Sequence, residues 1–367
     1  MLDLVKNIGN ILRISTIRID HTIFRLHYTF TVIVLLTFSV VMTSNQLVGS
    51  PIVCDNDPDK PVSLDLINSY CYISGTFLIS TAFNKSVSKE IPHPGIAGSQ
   101  HPETFRYYMY YQWVYFVFFV QALFFYAPRW LWKTWEKSLI QILVGGFEAR
   151  HLGEFDMRKK MENLILYVIR TWNKHNWYAM KYMFCEFLAL INVVAQFFIL
   201  NRFFGGYFMT YGVDVIKFAM SPEVYTNYQN ATLDTPNNPM VMLFPRVTKC
   251  ILRMFGKTSQ IETFDIICVM PLNVINEKFF LFLWFWFLVL IGLTALELMK
   301  NIIFICMPFF RACALCMHTS FVDQRKIRMI LRKGSFGDWF LLDLLSLNLD
   351  ETFYTEFIGK LTNELPF

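Results

Sequence analysis

The stretch Phe279–Met299 reads FFLFLWFWFLVLIGLTALELM and contains a single charged residue, Glu297. A helix needs about 20 mainly apolar residues to cross the hydrocarbon core of a bilayer. The stretch therefore predicts a membrane-spanning helix. Three other stretches are also mainly apolar and predict further spans, at residues 28–48, 107–128 and 182–202.

The composition of the whole chain agrees with a membrane protein. Its 367 residues are 54% hydrophobic and only 17% charged, and 38 of them are Phe. A water-soluble domain of this length carries more charge. The net charge of +5 is small, and no Lys/Arg-rich patch accompanies a nucleic-acid-binding motif. We expect an all-α membrane protein with membrane lipids, and no nucleic acid, among its partners.

The distribution of Lys and Arg predicts how the spans are oriented. Residues 129–181 contain ten basic against five acidic side chains, whereas residues 49–106 contain four against six. Cytoplasmic loops carry the excess of Lys and Arg. We therefore expect residues 1–27, 129–181 and 300–367 in the cytoplasm of a multi-pass plasma-membrane protein. Residues 49–106 and 203–278 would then be extracellular loops.

The two N-x-S/T sequons of the chain agree with this orientation. They begin at Asn84 and Asn230, and each falls in a predicted extracellular loop. N-glycosylation requires such a location. Asn84 and Asn230 are therefore the candidate glycosylation sites.

The same two loops contain four of the eight cysteines. Cys54 and Cys71 have sixteen residues between them, and Cys250 and Cys268 have seventeen. A zinc site favours C-x-x-C pairs in an intracellular setting, whereas extracellular loops are oxidising surroundings. The pattern predicts disulfides, and four cysteines allow three pairings. Bridges between the loops would hold them as one rigid unit.

Small polar residues follow one broad arc of the first span: Thr29, Thr37, Ser39, Thr43 and Ser44. Such a face can line a water-filled pore, and it can also let helices approach each other closely. Residues 1–16 have apolar positions at helical spacing and predict a short amphipathic helix. That helix can lie on the membrane surface or fold into a pore. Both pairs of alternatives stay open at this stage.

The middle loop and the tail predict a helical cytoplasmic domain. Residues 161–172 show helical periodicity with mixed charge, and Phe336–Leu349 is apolar but too short to cross a bilayer. We expect the second stretch to form an amphipathic helix that packs against the middle loop.

Two carboxylates lie within spans, where charge is costly. Glu186 is near Lys181 and Glu297 is near Lys300, which favours ion pairs at the membrane interface over a role in a pore. Behind the fourth span, three cysteines and a histidine lack the spacing of a zinc site, which favours lipidated or buried thiols: Cys306, Cys313, Cys316 and His318.

Five residues that open the second span carry a family signature. They read YYQWV and are Tyr110, Tyr111, Gln112, Trp113 and Val114. Colinear family motifs follow at Phe125–Arg129 (FYAPR), Phe244–Cys250 (FPRVTKC) and Gly337–Leu342 (GDWFLL). Over nearly its whole length the chain resembles an insect-type innexin, a member of the invertebrate gap-junction proteins.

The resemblance implies an oligomeric hemichannel, with octamers described for the family, built from identical or related innexin subunits. Such a hemichannel docks with an apposed hemichannel on a neighbouring cell and passes ions and small metabolites. The implied disulfides pair Cys54 with Cys268 and Cys71 with Cys250. The amino-terminal helix would fold into the pore as a funnel, and the implied pore-lining residues there are Met1, Leu2 and Asp3.

Two other functions stay open. A hemichannel that never docks is one, because glycans at Asn84 or Asn230 could hinder docking. A non-conducting four-span adhesion or scaffold protein is the other. Enzymatic function is not expected, because the sequence contains no G-x-S-x-G, Walker A, H-E-x-x-H or Gly-rich dinucleotide motif. No cofactor or metal is expected either.

Overall fold

The computed structural model describes residues 17–365 of the chain. The description leaves out the following residues within that range: 56–61, 86–88, 99–103, 146–153, 222–237, 257–258, 318 and 320–323. The predicted amino-terminal helix, with Met1, Leu2 and Asp3, lies outside the described residues, as does Asn230.

Four helices of the described chain are long and apolar enough to cross a membrane, which confirms the predicted number. They are called spans 1 to 4 below: Thr22–Val48, Val114–Glu136, Asn176–Phe203 and Leu272–Cys306. Span 2 begins seven residues later than the sequence predicts, because Phe105–Tyr108 form a strand and Tyr110–Gln112 form a 3-10 turn. The apolar aromatic run therefore covers part of a strand, a 3-10 turn and the beginning of the span helix.

The described chain divides into two compact units. The first comprises the described residues within the ranges Met1–Val32, Leu123–Val193 and Leu290–Phe367. Besides parts of the spans, its elements are the following helices: Leu139–Val144, Glu154–Arg170, Pro308–Met317, Gln324–Lys333, Phe336–Ser346 and Glu351–Glu364. The middle loop and the tail thus form a helical domain, as the sequence predicts.

The core of the first unit contains closely packed aromatic rings among many aliphatic side chains. The ring of Tyr182 lies 5.0 Å from that of Trp132 and 4.9 Å from that of Phe340, between centroids. Phe340 belongs to the tail helix Phe336–Ser346, which is buried around almost its whole circumference. The expectation of an amphipathic helix is therefore wrong, since elements of the same unit cover every side of this helix.

The second unit contains Ile33–Ala122 and Val194–Val289. It includes a five-stranded antiparallel sheet with the strand order β1-β5-β4-β2-β3. The strands are β1 Val53–Cys54, β2 Thr76–Ile79, β3 Phe105–Tyr108, β4 Val247–Phe255 and β5 Ile261–Val269. Besides parts of the spans, the described residues of this unit form three α-helices: Leu64–Ser74, Phe208–Ala219 and Pro239–Leu243.

The sheet corrects the all-α prediction, although the chain is mostly helical. Strands β4 and β5 are nine residues each, are rich in Val, Ile and Thr, and form a hairpin. Such composition favours strands, so a local signal was present and was missed. The shorter strands depend on distant partners, as when Phe77 of β2 pairs with Lys249 of β4. The loop around residues 51–94 is rich in Pro, Asp and Ser, which predicts mostly irregular structure, but it contains the helix Leu64–Ser74.

Candidate functional site in the disulfide-linked loops and the first span

Two disulfides join the loop after span 1 to the loop after span 3. Cys54 is bonded to Cys268 and Cys71 is bonded to Cys250, which are the pairs that the family resemblance implies. The register of β1 against β5 places Cys54 directly opposite Cys268. All four half-cystines are buried. The sulfurs of Cys54, Cys71 and Cys268 lie within 4.8 Å of one another, but oxidised sulfur offers no thiolate to a metal.

The signature residues Tyr111 and Gln112 cap the helix Leu64–Ser74. The Tyr111 hydroxyl donates to the carbonyl oxygen of Tyr72 at 3.1 Å, and the Gln112 amide donates to the same oxygen at 2.5 Å. The last carbonyls of a helix have no partner within it. The Tyr111 hydroxyl is a donor at neutral pH, as in any tyrosine. Burial raises its pKa further, to about 12. Because Cys71 belongs to this helix, the signature helps to position a disulfide.

The other signature residues divide between packing and exposure. The Tyr110 ring lies 5.3 Å from that of Phe204 and 5.7 Å from that of Phe244, between centroids. Val114 is completely buried, whereas Trp113 is 59% exposed. The signature is therefore mainly a structural device of the second unit. It does not form a single face that could line a pore.

A buried ion pair ties the segment before β4 to the beginning of span 4. Arg246 Nη2 lies 3.0 Å from Glu277 Oε2, and the Glu277 side chain is completely buried. Asn273 adds a second link, because its amide donates to the carbonyl oxygen of Pro245 at 2.6 Å. Arg246 belongs to the FPRVTKC motif, but nothing in that motif indicates its partner. Their pairing over 31 residues leaves no periodic signal.

The small polar residues of span 1 do not all face the same way. Thr37 and Ser44 are exposed and Thr29 is partly exposed, whereas Ser39 is buried. The Ser39 hydroxyl donates to the carbonyl oxygen of Tyr115 in span 2 at 3.0 Å. One polar stripe thus remains available to line water, while Ser39 serves helix packing. Span 1 therefore has candidate residues both for lining a pore and for close packing between helices.

Span 1 contains one π-helical turn, Leu26–Thr31, which no local sequence pattern indicates. His27 in this turn is buried, and its Nε2 lies 2.7 Å from Thr294 Oγ1. The Thr294 hydroxyl donates its own proton to the carbonyl oxygen of Leu290 at 2.6 Å. The imidazole is therefore the donor to Thr294. Single π turns are frequent at functional sites of membrane and soluble helices.

The two carboxylates within spans behave differently. Glu297 pairs with Lys300, as the sequence predicts. Glu186 instead accepts a hydrogen bond of 2.7 Å from the Asn301 amide, so the expected pair with Lys181 is wrong. A spacing of five residues places Lys181 about 140° around the helix from Glu186, which is too far for contact.

The remaining sequence-predicted sites can be placed only in part. Cys306 and Cys313 are exposed and Cys316 is half-buried. Asn84 ends the 3-10 turn Ser80–Asn84. His318 and Asn230 lie outside the described residues.

The fold and the site define a four-span membrane protein with two disulfide-linked loops. The family model described as Innexin matches residues 20–365. The chain is 39% identical to "Innexin shaking-B" of Drosophila melanogaster, covering 100% of this chain and 95% of that protein. It is 37% identical to "Innexin inx1" of Schistocerca americana, with coverage of 100% and 98%. The chain belongs to the innexin family, whose members are gap-junction channel proteins of the plasma membrane.

Proposed function

We propose that the chain is a subunit of a gap-junction channel. Eight copies, or copies mixed with related innexins, form a hemichannel that docks with one on the apposed cell and passes ions and small metabolites. The observation that carries this proposal is the pair of disulfides between the two loops, in a chain of the innexin family. A docking surface must keep its shape against a partner, and two cross-links over a sheet supply that rigidity.

The disulfides also support the proposed orientation. They require oxidising surroundings, so the loops that contain Cys54 and Cys71, and Cys250 and Cys268, lie outside the cell. In the proposed topology both termini are cytoplasmic, because four spans return the chain to the side on which it began. Cys306 and Cys313, which follow span 4, are free and exposed. Free thiols agree with the reducing surroundings of a cytoplasmic tail.

The permeation path in this proposal follows span 1. Thr29, Thr37 and Ser44 form its polar stripe, and the amino-terminal residues Met1 to Asp3 narrow the cytoplasmic mouth, as the family resemblance implies. Selectivity then depends on the width of the pore and the charge of its wall.

Paired cells that express the chain test this function directly. We expect junctional conductance and dye transfer between two expressing cells, and neither between an expressing cell and a control cell that lacks innexins. Asn84→Gln with Asn230→Gln is the second arm, because it removes both sequons. Hemichannel current without junctional coupling in either arm would instead establish a non-docking hemichannel. Reconstituted protein that stays impermeant at every voltage and calcium concentration would establish a scaffold protein.

A further inference from the structure

A cavity of about 350 Å³ lies in the second unit, between the residues that precede span 2 and those that end span 3. It has one basic side chain and a mainly aromatic wall. Six of its lining residues carry the argument: Arg106, Tyr108, Tyr110, Trp113, Phe203 and Tyr207.

Arg106 is held so that its donors remain available. Its guanidinium carbon lies 4.0 Å from the ring centroid of Tyr207 and 5.2 Å from that of Tyr108. Stacking covers the flat face of a guanidinium, while its N–H groups point outward in the plane. No carboxylate of the described residues lies within ion-pair distance of Arg106. The cavity thus presents a fixed, planar set of donors that suits a phosphate group.

The position of the cavity matches the interface between lipid and water. Span 3 ends at Phe203 and span 2 begins at Val114. Next to these ends, Tyr107, Trp113 and Tyr207 are 60%, 59% and 51% exposed. Exposed Tyr and Trp side chains gather at the level of the lipid headgroups. A ligand in the cavity would therefore lie at headgroup depth.

The remaining wall is apolar and continues along the spans. Phe204 and Leu243 line the cavity. Phe116 of span 2 and Phe198 of span 3 are 48% and 56% exposed and lie roughly one turn further into the membrane than Trp113 and Phe203. A ligand that suits both parts carries a phosphate at one end and a hydrocarbon chain at the other.

We propose that this cavity binds a phospholipid of the outer leaflet. Its phosphodiester accepts hydrogen bonds from Arg106, and the beginning of an acyl chain packs against Trp113 and Phe203. A sterol would leave the guanidinium without an anionic acceptor, and a quaternary ammonium ligand that lacks a phosphate would meet the positive charge of Arg106. The assignment of the leaflet rests on the proposed channel topology. The binding itself is independent of conduction and docking.

Photocrosslinking of the full-length oligomer in vesicles tests the proposal. The probe is a phosphatidylcholine with a diazirine near the carbonyl end of one acyl chain, and crosslinked peptides are identified by mass spectrometry. We expect crosslinks on residues 107–113 and 203–207. Arg106→Gln should reduce them at least fivefold. Arg106→Lys should fall in between, because a lysine lacks the planar fork. The matched control is Arg202→Gln, which removes an exposed charge at the same end of span 3 and should change the crosslinks less than twofold.

Competition in detergent separates the sources of phosphate. Short-chain phosphatidylcholine below its micelle concentration should displace the probe, while inorganic phosphate and dioctanoylglycerol should not. Displacement of the probe by inorganic phosphate would overturn the proposal in favour of a site for free anions. Absence of crosslinks in the native oligomer would overturn it in favour of a neighbouring copy that covers the cavity.

If Arg106→Gln fails to assemble, Trp113→Ala supplies the loss-of-binding variant. Unchanged crosslinks in an assembled Trp113→Ala or Arg106→Gln oligomer would refute the site.

Discussion

Asp338 and His175 form a buried pair, with Asp338 Oδ1 2.9 Å from His175 Nδ1. The same carboxylate accepts hydrogen bonds from the backbone N–H groups of Asn173, at 3.0 Å, and Ser335, at 2.9 Å. It thereby joins the turn before span 3 to the first turn of the helix Phe336–Ser346, both within the first unit. One side chain of the GDWFLL motif thus organises the contact between the middle loop and the tail.

Asp338→Asn should loosen this contact. Asparagine loses the charge and half of the acceptor capacity, which leaves backbone donors without partners. We expect the free energy of local opening in residues 336–346, measured by hydrogen exchange, to fall by about 1–3 kcal/mol. Asp156→Asn is the matched control, because Asp156 is exposed on the helix Glu154–Arg170 and should change that value by less than about 0.5 kcal/mol. Equal effects of the two substitutions would contradict this role of Asp338.

The pair also predicts a dependence on pH. Burial alone would raise the pKa of Asp338, but hydrogen bonds from His175, Ser335 and Asn173 outweigh it and hold the pKa below its ordinary value. A carboxyl whose pKa is lower in the folded state contributes stability above its unfolded pKa of about 3.9. That contribution is lost as the pH falls through the folded value. Melting of the first unit, followed by tryptophan fluorescence, should therefore show an acid destabilisation below about pH 4 that is smaller in Asp338→Asn.

The polar stripe of span 1 predicts a pattern of cysteine accessibility. In a background with Cys306 and Cys313 replaced by Ser, Thr37→Cys and Ser44→Cys should react with a water-soluble methanethiosulfonate and change the hemichannel current. Ser39→Cys should react at least tenfold more slowly, because Ser39 is only 9% exposed and contacts span 2. Current that changes only in Ser39→Cys would place the pore on another face of the helix.

The sequence predicted those features of this fold that depend on local pattern. Each span follows from about 20 apolar residues in a row, and the Glu297–Lys300 pair follows from a spacing of three residues. The missed features depend on contacts between distant segments. The burial of Phe336–Ser346 on all sides and the pairing of Phe77 with Lys249 are examples. The cysteine pattern predicted disulfides but not their pairing, because four cysteines allow three pairings. The resemblance to a family predicted the pairing that the structure contains.

The signature predicts a measurable stabilisation of the helix Leu64–Ser74. Tyr111→Phe removes the hydroxyl that donates to Tyr72, and we expect a loss of about 0.5–1.5 kcal/mol in the protection of this helix against hydrogen exchange. Tyr70→Phe removes the hydroxyl of a more exposed tyrosine on the same helix and is the matched control. If both substitutions lower protection equally, capping by Tyr111 is not the cause. The double substitution Tyr111→Phe with Gln112→Leu should lower the protection further, because the carbonyl oxygen of Tyr72 then loses both of its side-chain donors.

The ion pair of Arg246 and Glu277 should be the most sensitive polar contact of the second unit. Arg246→Gln leaves the fully buried carboxylate of Glu277 with only Lys278, whose side chain is 62% exposed. Removing one partner of a buried pair costs about 3–5 kcal/mol. Lys278→Gln should cost at most about 1 kcal/mol, because exposed pairs contribute little.

Adding Glu277→Gln to Arg246→Gln should restore part of the loss, since a neutral amide can be buried at lower cost than an unpaired charge. A double-mutant cycle on thermal melting measures this coupling. A coupling energy near zero would mean that the two side chains contribute independently, and that the segment before β4 is held by Asn273 and the disulfides instead.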